Sequence, residues 1–274
     1  MERTFVFGVG AQKAGTTWLH HYIVTDRKFR PGPLEAKEFH VWDIRDLPKA
    51  LLPHLPFNWR NRKQFGMSVL RRSEYAYFKY FNYCLRNGGV AADITPSYAG
   101  LSKDRFRQIS KTFAKSGVTA KFIFLMRDPL ARCVSAFSMN RHKAAPGTVQ
   151  EGVRTDIDLD SAFREYVTSD ACEMRTNYAS TLAALKQGCD EDQVKILFYE
   201  QLFTPEAIAD LSQFIGIDCR PALAATKANT AKERFEISEK ALEYCANHYR
   251  GTYEQVADAF PDAKELWAGR KYLA

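Results

Sequence analysis

The chain has 274 residues, 46% of them hydrophobic and 13% aromatic, and a formal net charge of +7. A chain of this length buries a core large enough to need no disulfide or metal staple. No run approaches 18 apolar residues, so we expect no membrane partner. The positive charge suits an anionic ligand, but no basic-aromatic nucleic-acid module appears, and we expect no specific nucleic-acid partner.

Apolar runs alternate with segments of helical periodicity along the chain. Strands are predicted near residues 4–9, 90–93, 121–126 and 194–199, and helices near 16–25, 102–116, 129–142, 161–168, 175–187, 205–215 and 238–249. This alternation predicts an α/β fold with a central parallel β-sheet flanked by helices, as a single domain over residues 1–274. Residues 44–72 are predicted to be irregular, and residues 143–160 to form either a mobile lid or acceptor loop or a plain surface connection.

The first predicted strand runs through a glycine-containing loop into the first predicted helix. Residues 10–17 of this loop read Gly-Ala-Gln-Lys-Ala-Gly-Thr-Thr. The first N–H groups of a helix have no intrahelical partner, and the helix dipole is positive at that end. Lys13 adds a charge, and Thr16 and Thr17 add hydroxyls. The loop is therefore predicted to hold a phosphate or another anion, unless its glycines serve only to make the turn.

The position of the lysine distinguishes this loop from that of the nucleoside triphosphatases. Their P-loop reads Gly-x-x-x-x-Gly-Lys-Ser/Thr, whereas Lys13 comes two residues before the second glycine, Gly15. No isolated metal-binding aspartate ends a later apolar strand either. The order Gly-x-x-Lys-x-Gly-Thr-Thr instead resembles the 5′-phosphosulfate loop of sulfotransferases, which use 3′-phosphoadenosine 5′-phosphosulfate (PAPS).

A second match begins directly after the strand predicted at 121–126. Residues 127–137 read Arg-Asp-Pro-Leu-Ala-Arg-Cys-Val-Ser-Ala-Phe, in which Asp128 suits an N-cap and Pro129 the first helical position. Arg127 then ends the strand, and Ser135 lies about two turns into the helix. An arginine fork and a hydroxyl are good phosphate ligands. The pattern resembles the element that binds the 3′-phosphate in sulfotransferases.

A third segment resembles the heparan sulfate 3-O-sulfotransferases. Residues 37–43 read Lys-Glu-Phe-His-Val-Trp-Asp, close to the Lys-Glu-x-His-Phe-Phe-Asp of that family. The resemblance implies that Glu38 is the catalytic base and that His40 and Asp43 line the same cleft. A hydroxyl that attacks sulfur must lose a proton, and a carboxylate within hydrogen-bond reach can accept it. The alternative is a solvated charged loop.

Three weaker matches follow. Residues 92–98 resemble the Glu-Lys-Ser/Thr-Pro-x-Tyr segment of the glycan enzymes, except that Ile94 stands where they carry a lysine. Residues 195–202 resemble a strand that ends in Tyr-Glu-x-Leu, which implies that Tyr199 lies near the adenine. Residues 227–234 resemble the basic loop that closes over the 3′-phosphate in bacterial members, with Lys232 and Arg234 as candidates. The residues implied to bind the donor are Gln12, Lys13, Ala14, Gly15, Thr16, Thr17, Trp18, Arg127, Ser135, Tyr199, Lys232 and Arg234.

Together these segments imply a P-loop-like, three-layer fold and a PAPS-dependent sulfotransferase of the bacterial, soluble type. The donor would leave as 3′-phosphoadenosine 5′-phosphate (PAP), with Lys13 stabilising the departing phosphate and without a metal. The acceptor would be a carbohydrate or other small molecule that offers a hydroxyl, with an amine as the alternative. Six cysteines without a Cys-x-x-Cys pair favour a reduced, cytoplasmic location. The competing hypotheses are a P-loop kinase of a small metabolite and a catalytically idle nucleotide-binding module.

Overall fold

The four predicted strands are present in the computed structural model, which describes residues 2–52, 55, 57–225 and 235–273. The strands are β1 (Arg3–Gly10), β2 (Gly89–Ile94), β3 (Thr119–Met126), the short pair β4 (Val149–Gln150) and β5 (Val153–Arg154), and β6 (Val194–Phe198). β1, β2, β3 and β6 form one parallel sheet in the order β2–β1–β3–β6. The predicted α/β fold with a central parallel sheet is confirmed.

Helices connect and flank these strands. They are α1 (Thr16–Val24), α2 (Trp42–Asp46), α3 (Arg62–Arg72), α4 (Glu74–Cys84), α5 (Lys103–Ala114), α6 (Pro129–Lys143), α7 (Leu159–Val167), α8 (Asp170–Thr176), α9 (Tyr178–Gly188), α10 (Pro205–Ile215), α11 (Glu239–His248), α12 (Arg250–Ala259) and α13 (Ala263–Leu266). Short 3-10 turns cover Lys49–Leu51, Pro96–Gly100, Glu191–Gln193, Pro221–Ala225 and Ala268–Tyr272. Each helix predicted from the sequence has a counterpart.

The prediction of an irregular segment over residues 44–72 was wrong for its second half, which is helix α3. The side chain of Asn61 caps this helix by accepting a hydrogen bond from the Gln64 N–H. Of its apolar side chains, Met67 and Leu70 are buried, whereas Phe65 and Val69 are exposed. The apolar residues therefore do not form a single buried stripe, and their spacing does not indicate a helix.

The segment 143–160, predicted as a lid, acceptor loop or surface connection, contains a small antiparallel hairpin. Its strands β4 and β5 pair Val149 with Arg154 and Gln150 with Val153. The side chain of Val153 is buried, which anchors the hairpin to the protein. A two-residue strand pair carries little hydrophobic periodicity, so the sequence pattern did not predict it.

The core explains why the strands are so apolar. β1 is buried along Thr4–Gly10 because it lies between β2 and β3 with helices packed on the sheet. Phe5 stacks on Phe113 of α5 with ring centroids 4.3 Å apart, and Phe7 stacks on Tyr98 at 4.6 Å. These contacts pin the central strand, whose carboxyl end opens into the glycine-containing loop.

The parallel sheet brings four chain segments together at one edge. The carboxyl ends of parallel strands meet at the same side of a sheet, where ligands of α/β proteins bind. Here those ends lead into the loop 10–15 after β1, Thr95 after β2, Arg127 after β3 and Tyr199 after β6. The sheet order therefore collects most of the predicted site residues at one place.

Candidate active site

The loop between β1 and α1 leaves the start of the helix open. Gly15 occupies the N-cap position with φ of 93°, and it offers no side chain to cap α1. A Cβ at this position would lie 2.8 Å from Leu202 Cδ2 and 3.2 Å from Tyr199 Cδ2. Glycine is thus required both by the left-handed backbone and by the close approach of the segment after β6. The first N–H groups of α1 remain without a side-chain acceptor from the cap residue, as an anion site requires.

Lys13 adds positive charge to this loop. Its backbone is left-handed, with φ of 68°, and its carbonyl accepts a hydrogen bond from Arg127 Nη1 at 2.9 Å. The ammonium lies 3.8 Å from the Met139 sulfur of α6. Burial, followed by the nearby charge of Arg127, lowers the pKa of Lys13. A half-buried ammonium beside another cation gains strongly from an anion at this position.

The Arg127 side chain is also positioned by an aromatic ring. Its guanidinium lies 4.5 Å from the centre of the Tyr199 ring, which holds the fork near the Lys13 loop. Arg127 and Ser135 both line a cavity of about 260 Å³ on the side of α6. The structure therefore brings together the two residues predicted to bind a 3′-phosphate. Lys271 lines the same cavity, and no sequence motif pointed to it.

The start of α6 matches its prediction. Asp128 accepts hydrogen bonds from the Leu130 and Ala131 N–H groups, and Pro129 is the first helical residue. The Asp128 carboxylate also accepts from Tyr253 Oη at 2.5 Å and from the Gly269 N–H at 2.6 Å. These contacts tie the C-terminal part of the chain to the end of β3.

The remaining residues predicted for donor binding have different surroundings. Gln12 Nε2 lies 3.5 Å from Glu151, at the turn of the β4–β5 hairpin. The hairpin therefore contacts the loop between β1 and α1. Trp18 is buried and donates its indole N–H to the Leu223 carbonyl at 3.1 Å. Ala14 and Thr16 are buried, whereas Thr17 is exposed. Lys232 and Arg234 lie outside the described residues.

The three residues predicted on the acceptor side form one chain of contacts. His40 Nε2 lies 3.2 Å from Glu38 Oε2, and His40 Nδ1 lies 2.6 Å from Asp43 Oδ2. Burial alone would lower the pKa of His40, but the hydrogen bonds to Asp43 and Glu38 raise it to about 9. Burial alone would raise the pKa of Glu38, but the hydrogen bond from His40 and the charge of Lys37 lower it to about 2. At neutral pH Glu38 is therefore a carboxylate and His40 an imidazolium.

Lys37 connects these three residues to the loop between β1 and α1. The sequence motif predicts no role for this lysine. Its ammonium lies 2.6 Å from Glu38 Oε1 and 3.4 Å from Thr16 Oγ1, on the first residue of α1. The acidic group and the helix start are thus bridged by one side chain. The sequence does not predict the contact between Lys37 and Thr16, because that contact depends on where α1 lies in the folded chain.

Residues after β2 hold the Glu38 segment in place. The Ile94 N–H donates to the Lys37 carbonyl at 2.9 Å, and the Phe39 N–H donates to Thr95 Oγ1 at 3.1 Å. Asp93 accepts from Tyr98 Oη at 2.8 Å. Burial raises the pKa of Asp93 to about 6, although the hydrogen bonds that it accepts oppose the rise. The segment at residues 92–98 is thus a support for the Glu38 segment.

A cavity of about 350 Å³ opens beside Glu38. Its lining combines apolar surface with polar and charged groups, and the residues are Ala36, Lys37, Glu38, Leu55, Asn61, Lys63, Gln64, Met67 and Arg71. Arg71 donates from Nε to the Phe39 carbonyl at 3.0 Å. Gln64 Oε1 is buried and has no hydrogen-bond partner among the described residues. The cavity thus places basic and amide side chains next to a carboxylate, which suits a molecule with hydroxyls.

The side chain of Lys37 thus joins the start of α1 to the carboxylate of Glu38. Within the described parts of the chain, no group of three or more His, Cys, Asp or Glu side chains could hold a metal ion. The same described residues contain no helix long and apolar enough to cross a membrane. The family model of the sulfotransferase domain matches residues 3–254. The chain belongs to the sulfotransferase family.

Solved structures of sulfotransferases share this fold. A sulfotransferase from Alicyclobacillus acidocaldarius is 18% identical, with a TM-score of 0.63 over 95% of this chain and 97% of that one. The mouse sulfotransferase SULT7A1, solved in complex with PAP, is 15% identical, with a TM-score of 0.50 over 97% of this chain and 88% of that one. A comparison with curated proteins finds no match. The P-loop-like fold and the assignment as a transferase enzyme, both predicted from the sequence, are confirmed.

Proposed function

We propose that this sulfotransferase moves a sulfuryl group from PAPS to an acceptor hydroxyl, with Glu38 as the general base. PAPS is the donor used by this family. The observation that carries the proposal is the position of Lys37, whose ammonium contacts both Glu38 and Thr16. This contact supports the choice of Glu38, because its carboxylate lies within one side chain of the helix start that would bind the donor.

The residues present fit a doubly phosphorylated nucleotide. The uncapped start of α1 and the ammonium of Lys13 would hold the 5′-phosphosulfate, with the hydroxyls of Thr16 and Thr17. Arg127 and Ser135, which line one cavity, would hold the 3′-phosphate. The ring of Tyr199, which packs against Gly15 and lies 4.5 Å from the Arg127 guanidinium, would contact the adenine.

PAPS supplies an activated sulfuryl group whose bond to the 5′-phosphate oxygen breaks on transfer. Lys13 would neutralise charge on that oxygen, and the α1 N–H groups would stabilise the phosphate that departs. Glu38 accepts the proton of the attacking hydroxyl. Its low pKa keeps it ionised at neutral pH, and the His40 and Lys37 contacts fix its orientation.

The charged groups in the cavity beside Glu38 support a small-molecule or carbohydrate acceptor that offers a hydroxyl. Lys37, Lys63 and Arg71 line it together with one carboxylate, that of Glu38, which is already paired. Such a lining binds hydroxyls and negatively charged groups better than an apolar phenol. The alternative of a small-metabolite kinase is disfavoured by the position of Lys13 in the loop.

Thermal-shift and transfer assays test this function. PAP without magnesium should raise the melting temperature, and Mg-ATP should raise it much less, because ATP lacks the 3′-phosphate. PAPS labelled at sulfur, incubated with the protein and an extract of its native organism, should yield a labelled product and PAP. Stabilisation by Mg-ATP alone, together with transfer of phosphate, would instead indicate a kinase.

A further inference from the structure

Large apolar side chains are exposed at and before helix α3. Phe57 is 57% exposed, Trp59 67%, Phe65 53% and Val69 42%. Exposed apolar residues are ordinary when scattered singly, but four of them within 13 positions of one segment form a feature that needs a partner. The fold itself does not use them, because α3 packs through Met67 and Leu70.

The same part of the chain holds most of its excess positive charge. Residues 47–73 contain six Lys or Arg and no Asp or Glu, whereas the whole chain has a net charge of +7. Arg60, Arg62 and Arg72 are exposed, and among the described residues none of them lies within ion-pair distance of a carboxylate. Their charge is therefore available to an anionic partner.

Apolar and basic side chains share the outer face of α3. At 100° per residue, Arg62, Phe65, Val69 and Arg72 fall within one third of the helix circumference, and all four are exposed. Before the helix, the Arg60 guanidinium lies 4.9 Å from the Trp59 ring centre. A short helix with exposed Phe and Val, neighbouring Trp and several arginines has the composition of a segment that lies in a membrane interface.

The segment that carries this face also lines the cavity that contains Glu38. Gln64, Met67 and Arg71, on the other side of the same helix, line the cavity. Leu55 and Asn61 also line it, and they flank Phe57 and Trp59 in the chain. A bilayer that contacts Phe57 and Trp59 would therefore lie next to the proposed acceptor site.

We propose that the outer face of residues 57–72, the basic aromatic surface, docks on an anionic lipid bilayer, and that the acceptor is a hydroxyl of a lipid headgroup. The second part rests on the proposed function. The headgroup oxygen forms the bond to sulfur, the sulfur–oxygen bond to the 5′-phosphate breaks, and the proton passes to Glu38. An anionic bilayer accounts for both the basic and the aromatic side chains of this surface. Its phosphates pair with the arginines, and the aromatic rings enter the interface.

This proposal departs from the expectation of no membrane partner, which considered only segments able to span a bilayer. Helix α3 has 11 residues and lies far below that length. An interfacial helix needs only one apolar face together with positive charge. The expected interaction is thus peripheral and reversible.

Vesicle sedimentation tests the surface without involving catalysis. The protein should pellet with vesicles of phosphatidylcholine and phosphatidylglycerol, pellet weakly with phosphatidylcholine alone, and be released by salt. The double variant Arg60→Gln/Arg62→Gln should bind about 30-fold more weakly. Trp59→Ser/Phe65→Ser should also weaken binding, by about tenfold or more, because both side chains lose apolar burial.

Matched variants elsewhere on the surface serve as controls. Lys111→Gln/Lys115→Gln removes the same charge from two exposed positions at the C-terminal end of α5, and Tyr244→Ser removes an exposed aromatic from α11. Both should bind vesicles as the unmodified protein does. The proposal would be overturned if the control and test variants lost binding equally, or if the protein did not bind anionic vesicles. Binding to single-stranded RNA without binding to vesicles would also overturn it.

A second assay addresses the acceptor. Labelled PAPS and vesicles made from the lipids of the native organism should yield label in the organic phase, and Trp59→Ser/Phe65→Ser should reduce that yield while PAP still stabilises the variant. Label found only in water-soluble products would contradict a lipid acceptor. Failure of PAP to stabilise the unmodified protein would count against the proposed function, whereas the sedimentation result would still decide the surface.

Discussion

His40 Nδ1 lies 2.6 Å from Oδ2 of Asp43, a carboxylate with no exposed surface. Ser97 also donates its hydroxyl to that Asp43 oxygen. The imidazole is therefore held from behind, and its other nitrogen faces Glu38 at 3.2 Å. His40 itself has a left-handed backbone with φ of 52°, which is rare outside glycine. The structure maintains this conformation where the ring meets both carboxylates, which fits a role in orienting Glu38.

Protonation of His40 should stabilise the fold at neutral pH. Its pKa is about 9 in the folded chain against an ordinary 6.5, so the stabilisation is complete below pH 6.5 and is lost as pH rises through 9. A shift of this size corresponds to about 3 kcal/mol of unfolding free energy. Urea unfolding of the unmodified protein should show this loss between pH 6.5 and 9.5, and His40→Ala should not show it. The exposed His21 provides the control, because His21→Ala should retain the loss. Parallel pH profiles for the unmodified protein and His40→Ala would contradict the assignment.

Glu38→Gln should reduce turnover by roughly two to four orders of magnitude, because the amide keeps the shape of the side chain and cannot accept the proton. The affinity for PAP should change little, since Glu38 lies on the acceptor side. Glu35→Gln is the matched control, because Glu35 is exposed and lies three residues earlier. Single-turnover assays with a fixed acceptor and calorimetry with PAP measure the two effects. If Glu38→Gln turned over normally while His40→Ala did not, the base would be His40.

Lys13→Ala should lower turnover by roughly two to four orders of magnitude while the melting temperature of the free protein changes little. The ammonium sits half-buried near Arg127, so removing it relieves repulsion in the free protein but removes the charge that stabilises the leaving phosphate. Lys111→Ala, on the exposed side of α5, should behave as the unmodified protein does. Turnover of Lys13→Ala within tenfold of normal would remove Lys13 from the mechanism.

Arg127→Ala and Ser135→Ala should weaken binding of PAP more than binding of AMP, which lacks the 3′-phosphate. Arg127 should matter more, by about 1.5–3 kcal/mol, because its hydrogen bonds to phosphate are charge-assisted. Arg127 also donates to the Lys13 carbonyl, so its loss could disturb the loop, and the affinity for AMP measures that effect separately. Equal losses for both nucleotides in calorimetry would show that neither residue reads the 3′ position.

The sequence by itself determined the sheet, most of the helices and the anion loop. Strands such as β3 are continuous apolar runs because both faces of a parallel sheet are covered, and this local composition is visible without a structure. The positions of the glycines and the lysine in this loop are equally local features, since Gly15 must adopt a left-handed conformation where the helix begins. The motif order was therefore enough to identify the family.

Only the tertiary structure decided how the acceptor side is built. Helix α3 was not predicted from the sequence, because Phe65 and Val69 are exposed and its apolar residues do not follow one buried face. The contact from Lys37 to Thr16 joins two segments that the ends of β1 and β2 bring together. The pKa values of Glu38 and His40 likewise depend on burial and on contacts that form in the folded chain. Charge coupling of this kind depends on distance and burial, which arise only when the sheet has assembled.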